Sequence, residues 1–316
     1  MSSDYNEYNG ISGNSADIGG IKGKLALAKF LRIVGFVSPF IVIPFMLVYH
    51  TFLLIIPVVA IGVLLLFIGL KIKNSAMDEY GKTIVEPMAR QVFPNAEFTY
   101  NEKYITLDSY FDLGLITRDD DEYVTNHLVS NDEHELENFS LLCEHTDTDS
   151  DGNSSTVVTF RGTVVKYKTP TNIQGVVRVI ASKPLNLLVV KKETTFVRKN
   201  TPITPEKIET GSVTFDENFE VFASDQHTGF YVLNAYVIEK LQAFRAKYGT
   251  FALTITADTL YVSFNQKDKF IFVPSKISDI GDNPFLEARN NLNELIESLN
   301  DIAFAISKST ERERTI

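Results

Sequence analysis

Tryptophan is missing from the 316 residues of this chain and cysteine occurs once, at Cys143. One thiol excludes an intrachain disulfide framework and agrees with a reducing compartment. Without tryptophan, any aromatic belt at a membrane surface must come from tyrosine and phenylalanine. There is no P-loop, no G-x-G-x-x-G, no H-E-x-x-H and no G-x-S-x-G, so the common nucleotide, zinc-protease and hydrolase signatures are excluded. No cofactor is implied. Nor is there an excess of base: from Asn74 onward 24 basic residues face 37 acidic ones, which speaks against nucleic acid as a partner.

What the chain does have is a long apolar run. From Ile33 to Leu70, 38 residues pass with His50 as the only side chain that titrates near neutrality. A single helix of that length would measure about 57 Å, nearly twice the roughly 30 Å hydrocarbon core. Two spans fit better, near Ile33–Tyr49 and Phe52–Leu70, with a turn at Tyr49-His50-Thr51. Pro39, Pro44 and Pro57 fall inside them, where neighbouring groups re-satisfy the backbone. A cleaved signal peptide fits poorly, because the apolar run is too long and follows a polar stretch. A re-entrant hairpin is the remaining rival. Lys22, Lys24, Lys29 and Arg32 precede the first span, Lys71 and Lys73 follow the second, and the turn carries no lysine or arginine. By the positive-inside rule the expectation is a multi-pass cell-membrane protein with both termini cytoplasmic.

The flanking regions follow from composition and periodicity. Residues 1–24, rich in Ser, Asn and Gly, read as a disordered tail. Met77, Tyr80, Ile84, Met88 and Val92 recur at helical spacing, so 74–95 reads as a juxtamembrane amphipathic helix, kinked at Pro87 and ended near Pro94. Residues 96–280 read as an α+β domain with a mainly antiparallel sheet. Strands are expected around Phe139–Glu144, Thr156–Lys168, Gly175–Ile180, Leu185–Val190, Phe219–Ala223, Gly229–Leu233, Thr250–Thr256, Thr259–Phe264 and Lys269–Val273. A helix, Asn234–Tyr248, interrupts them, with Asn234 as its cap and Gly249 after its end. The expected fold is thus a membrane helical hairpin followed by this α+β domain and a C-terminal amphipathic helix within 281–316. In that last helix Phe285, Ala288, Leu292, Leu295, Leu299, Ile302 and Ile306 hold 4-3 spacing. The stripe suits either a partner, including a second copy, or the chain's own sheet.

Charge is unevenly placed. Between Glu97 and Asn153, 16 acids face only Lys103 and Arg118; between Arg161 and Lys207, 10 bases face Glu193 and Glu206. Either the blocks neutralise each other within one fold, or the basic one meets anionic lipid through Lys166, Lys168, Lys191, Lys192, Arg198 and Lys199.

Sites for chemistry are thin. Asp147-Thr148-Asp149-Ser150-Asp151-Gly152 opens like a calcium loop, but the twelfth position, where a bidentate glutamate belongs, is Val158. Cys143, His145 and Asp147 alternate on a strand and make a weak zinc or nucleophile–base candidate, against a buried structural thiol as the ordinary reading. Asp225-Gln226-His227 brings an acid and an imidazole together with no nucleophile nearby. No catalytic residue is assigned, and a catalytic role would rest on Cys143, His145, Asp225 and His227.

Some of these segments also carry a resemblance. Thr159-Phe160-Arg161-Gly162-Thr163-Val164-Val165, the run Asn218 to Gln226, Tyr231-Val232-Leu233, Leu260-Tyr261-Val262 and Phe270 resemble, in order, the strand motifs of bacterial domain-of-unknown-function family 3137. The likeness runs from about residue 30 to 275. It implies two spans ahead of a cytosolic domain and no established activity. The chain departs from the family at Thr228-Gly229-Phe230, where members carry an acidic-Ala-Arg stretch. The reading that follows is a membrane-tethered, non-enzymatic cytosolic module that binds a protein partner or itself, with an anionic-lipid sensor or an enzyme as alternatives.

Overall fold

The computed structural model describes residues 14–49, 55–102, 105–132, 135–148, 150–181, 196–265, 278, 280–281 and 283–313. They fall into two compact units, one centred on the helices before Met88 and one that starts at Ala89 and takes in the last helix from Ala288.

In the first unit, α1 (Asn14–Tyr49) and α2 (Ile55–Tyr80) pack antiparallel. Glycine sets how closely they approach. A Cβ on Gly35 would lie 2.6 Å from the Gly62 carbonyl oxygen, one on Gly62 would lie 2.8 Å from that of Gly35, and one on Gly69 would lie 3.0 Å from that of Ala28. Such small-residue contacts are how helices pack without a hydrophobic driving force between them. α1 continues unbroken through Pro39. Proline removes a backbone donor, and here the Ser38 hydroxyl donates to the Gly35 carbonyl at 3.3 Å. The helix begins inside the stretch expected to be a disordered tail. Ile21, Leu25 and Ala28 recur on one face and are buried, which accounts for helix where composition alone suggests none. The expected turn at Tyr49-His50-Thr51 falls partly outside the described residues.

The expected juxtamembrane helix is no separate element. α2 runs past Lys71 and Lys73, passes through a π-helical turn at Gly81–Val85 and continues as α3 (Glu86–Arg90). The π turn lies immediately before Pro87, whose ring and missing N–H disturb the preceding turn. Met77, Tyr80, Ile84 and Met88 are buried as their spacing requires.

The second unit is built on a nine-stranded sheet in the order β1-β2-β3-β4-β9-β8-β5-β7-β6. Its strands are β1 (Glu97–Glu102), β2 (Asp121–Ser130), β3 (Leu136–Thr148), β4 (Ser154–Lys168), β5 (Val177–Ala181), β6 (Glu206–Ile208), β7 (Phe219–Ala223), β8 (Phe251–Ile255) and β9 (Thr259–Phe264). Every pairing among the described residues is antiparallel. Among the described residues five helices complete it: α4 (Asp108–Asp112), α5 (Val213–Asp216), α6 (Gln226–Val232), α7 (Ala235–Tyr248) and the long α8 (Pro284–Glu313, from Ala288).

The sheet is covered on both faces. On one, Phe244 and Tyr248 of α7 meet Phe251 and Phe264, and the Tyr167 hydroxyl donates to Asn300 of α8 at 3.0 Å. On the other, Tyr110 of α4 packs edge-on against Phe139 and Tyr261. The turn after α4 is clamped there by three neighbouring strands. Thr254 Oγ1 donates to the Leu113 carbonyl, the Arg178 guanidinium to that of Gly114, and Ser263 Oγ to that of Leu115, at 3.0 to 3.2 Å. Backbone polar groups brought against a sheet need such partners. Gly114 has φ +70° and touches the Arg178 guanidinium so closely that a Cβ could not fit.

The segment Gly229–Leu233, expected as a strand, lies in α6 and its end. Asp225 accepts the Thr228 backbone N–H at 2.8 Å and its hydroxyl at 2.7 Å, an N-cap that starts a helix. A side chain at Gly229 would strike Ile208 of β6, so glycine here admits the edge strand. The expected strands Leu185–Val190 and Lys269–Val273 lie outside the described residues. β1, β2 and β6 were not expected, nor were α4 and α5.

Candidate functional site

A partly buried network of titratable side chains lies where β1, β2 and α4 meet. β2 and β3 change register between Thr125 and Leu128, and Asn126 sits in that bulge with φ +54°. A bulge turns the following side chain to a face it would not otherwise reach. His127 there packs edge-on against Phe139, 6.2 Å between ring centres. Its Nε2 is 3.1 Å from Glu137 of β3, and its Nδ1 is 3.7 Å from Glu102 of β1. The Tyr110 hydroxyl donates to the other Glu137 oxygen at 2.6 Å. Burial raises the Glu137 carboxyl, but the hydrogen bonds from His127 and Tyr110 outweigh it and hold the group below the usual carboxylate range. Tyr110 moves the opposite way, pushed up by burial and by the Glu137 charge.

Glu102 links this buried network to solvent. It lines a cleft of about 550 Å³ together with Asp108, Phe111, Arg118, Glu122 and Tyr123. The Arg118 guanidinium pairs with Asp108 and lies 4.8 Å from the Phe111 ring centre. Its volume falls within the range of small-molecule sites, but its lining is more polar than theirs. Nothing in the sequence pointed to it, since its residues come from two strands, a five-residue helix and the loops beside them, none of which periodicity marks.

The residues singled out from sequence fare differently. Cys143 is fully buried between Leu141 and the Phe160 strand, and burial, with Glu122 and Asp119 adding to it, pushes its thiol up to about 12. Such a thiol is a packing residue, a poor nucleophile and a poor metal ligand. His145 is half-exposed, with Nδ1 2.9 Å from Asp120 and Nε2 3.1 Å from Asp147. Asp119 also stands 3.7 Å from Nδ1, so carboxylates flank both ring nitrogens. Among the described residues no group of three or more His, Cys, Asp or Glu is placed to hold a metal. Asp149 lies outside the described residues, and Asp151 stands in the β3–β4 turn. Asp225 is occupied in capping α6, and the Thr228 backbone N–H lowers its carboxyl first of all. His227 lies in α6 and stacks on Tyr231, 6.1 Å between ring centres.

The basic block meets acids of its own chain. Lys168 and Lys166 lie 2.8 and 3.5 Å from Glu135, and Arg198 lies 3.3 Å from Glu220. Lys199 offers its carbonyl to Arg178 at 2.6 Å, and Lys191 and Lys192 lie outside the described residues. The stripe Leu292, Leu295, Leu299, Ile302 and Ile306 is buried within this one chain, and Phe285 at its start is nearly so. α8 is tied to the rest of its unit by Tyr248 donating to the Glu294 carbonyl at 3.0 Å and by Lys240–Asp301 at 2.7 Å. Of the two readings of the stripe, a partner or the chain's own fold, the burial of these side chains favours the second.

Residues 158–307 match the model of a family described as protein of unknown function, DUF3137. It is the family the strand motifs resemble, but the match starts within β4 and excludes α1 and α2, β1 to β3 and α4, and with them the cleft. Its far end takes in most of α8, beyond the reach of the resemblance. The crystal structure of the mycobacterial trehalose monomycolate transport factor A, TtfA, covers 67% of this chain and 92% of its own at 9% identity, with a TM-score of 0.29. A likeness at that score carries no argument about fold or function. No curated protein matches the sequence.

Proposed function

We propose that this DUF3137-containing chain is an integral membrane protein. In this reading α1 and α2 cross the bilayer as a hairpin and tether a cytoplasmic, non-enzymatic binding domain. The observation that carries the reading is the outward face of the helix pair. Phe30, Ile33, Phe36, Phe40 and Ile41 of α1, with Ile56, Ile61, Leu64 and Phe67 of α2, are each more than half exposed. Soluble monomers rarely expose a contiguous apolar surface of that extent, and hydrocarbon is the solvent that suits it. Among the described residues one helix, 56–90, is long and apolar enough to cross a membrane by length and composition. Gly69 lies against Ala28 and Arg32, so Lys71 and Lys73 share an end of the pair with Lys29 and Arg32. Positive charge gathered at one end supports placing both termini in the cytoplasm.

A binding role is favoured over catalysis by the buried, inert state of Cys143. The ion pairs at Glu135 and Glu220 weigh against a lipid-sensing surface in the basic block.

The test is cysteine labelling in whole cells on a Cys143→Ala background. A cysteine at His50 is expected to react with a membrane-impermeant maleimide in intact cells, and one at Ser307 only after permeabilisation. Release of the chain by alkaline carbonate, or reaction of both positions from the same side, would refute the hairpin.

A further inference from the structure

We propose that the basic end of the α1–α2 pair is a binding site for an anionic phospholipid, with Lys29 and Arg32 holding the headgroup phosphate. The inference rests on the hairpin reading and names the class of lipid that the hairpin prefers.

Gly69 shapes the site. A Cβ there would stand 2.7 Å from Arg32 Cγ and 3.0 Å from the Ala28 carbonyl oxygen. The stem of Arg32 therefore lies against α2, while the residue as a whole stays exposed. Lys29 comes three residues earlier on α1, and residues at that spacing share a helix face. Lys71 follows Gly69 by two residues on α2. The helices run antiparallel, so all three bases stand within about 5 Å of one level along the axes.

What sets these three apart is the lack of an acid. Lys24 pairs with Glu79 and Lys82 with Asp78, so bases farther from the apolar run are cancelled within the chain. Among the described residues no carboxylate lies within ion-pair reach of Lys29, Arg32 or Lys71. Uncompensated positive charge at the edge of the hydrocarbon calls for an anion from outside the chain. The neighbours of these bases say which kind. Phe30 and Ile33 flank them on α1 and Phe67 on α2, each more than half exposed. A free phosphate ion gains nothing from that surface. A phospholipid lays an acyl chain along it while the arginine fork takes two phosphate oxygens. An anionic headgroup is preferred to a zwitterionic one because it brings no ammonium of its own to repel the bases.

The chain has no tryptophan, so Phe67→Trp supplies a single fluorescent probe at the level of the site. The full chain carrying it is reconstituted into vesicles of phosphatidylcholine and phosphatidylglycerol in equal parts, with one lipid or the other brominated on its acyl chains. Bromine quenches tryptophan on contact, so the pair of measurements reports which lipid lies beside the probe. Brominated phosphatidylglycerol is expected to quench more, with a relative affinity of about fivefold, the factor one well-placed base supplies. Lys29→Gln combined with Arg32→Gln should bring that ratio to one. Lys24→Gln combined with Lys82→Gln removes the same charge from paired positions and should leave it unchanged. Excess glycerol phosphate in the buffer should not reduce the preference; if it does, the seat is one for a soluble phosphate and the lipid assignment falls. The proposal is also overturned by equal quenching with either lipid, by a preference that survives loss of Lys29 and Arg32, or by an equal loss in the paired control. Equal quenching still puts the probe in hydrocarbon and spares the hairpin, whereas no quenching by either lipid overturns the hairpin and this site together.

Discussion

Among the described residues Arg178 is the largest side chain buried without exposure, and its guanidinium donates to two backbone carbonyls, those of Gly114 and Lys199. It also lies over the Phe222 ring at 4.6 Å. Burial lowers its ordinary value to about 10, still charged at neutrality. Replacing the fork by Arg178→Met leaves the buried Gly114 carbonyl without its donor, and a loss of about 3 kcal/mol is expected. Arg178→Lys should recover only part of it, because one ammonium cannot span two carbonyls in a plane. Denaturant midpoints of the three proteins check both points. Glu137 supplies a pH dependence. A carboxyl held lower in the folded chain than in the unfolded one adds stability above its unfolded value, about 4.3, and loses it as pH falls through the folded value. Stability of the wild type should therefore drop more steeply below about pH 4 than that of Glu137→Gln; equal slopes would show that the His127 and Tyr110 contacts contribute nothing.

Among the elements, those that announced themselves carry their own punctuation. α7 has Asn234 accepting from the Tyr236 and Val237 backbone N–H groups and Gly249 at φ +78° after its end. α8 starts at Pro284 with Asn283 accepting from Leu286. β4 and β9 alternate or run apolar long enough to be read. α6 misled because Phe230 to Leu233 is short and apolar, and periodicity cannot separate a strand from a helical turn over so few residues. The cap at Asp225 was the better signal. β1 and β2 stayed hidden because acids and amides such as Asp121, Glu122 and Asn126 fill positions where a strand pattern calls for apolar residues. The cleft stayed hidden with them. The α1–α2 pair yields a sharper test than its hydropathy. Gly62→Leu places a branched side chain where even a Cβ meets the Gly35 carbonyl, and should separate the helices. The expected result is a lowered melting temperature in detergent, with Ala60→Leu, one turn-face away in sequence, as a control of equal bulk. Equal melting of the two would mean the close approach is not stabilising.

For the whole molecule, the opposed charge blocks meet at the sheet, where Glu135 of the acidic stretch holds Lys166 and Lys168 of the basic one. Exposed pairs of this kind contribute little to stability, so their role is to cancel charge. The last helix matters more. A chain ending at residue 282 loses Leu292, Leu295, Leu299, Ile302 and Ile306 and uncovers the face they occupy. Each fully buried aliphatic side chain contributes roughly 2 kcal/mol, so the truncated chain is expected to aggregate on size-exclusion in detergent. A monodisperse, folded product would instead mean that α8 is a detachable arm, free to serve a partner.

The family segment begins at Val158, partway along β4, while β1, β2 and β3 precede it. An antiparallel sheet can be lengthened sideways by hairpins laid on a free edge, leaving the strands already there in register. In this chain the strands on the two sides of Val158 are not separable pieces: Tyr110, Phe139, Leu141 and Cys143 share one buried cluster with Phe160, Val164, Ile180 and Ala252. A change in the strands before Val158 is therefore felt by the strands after it, because both halves close on the same aromatic and aliphatic side chains.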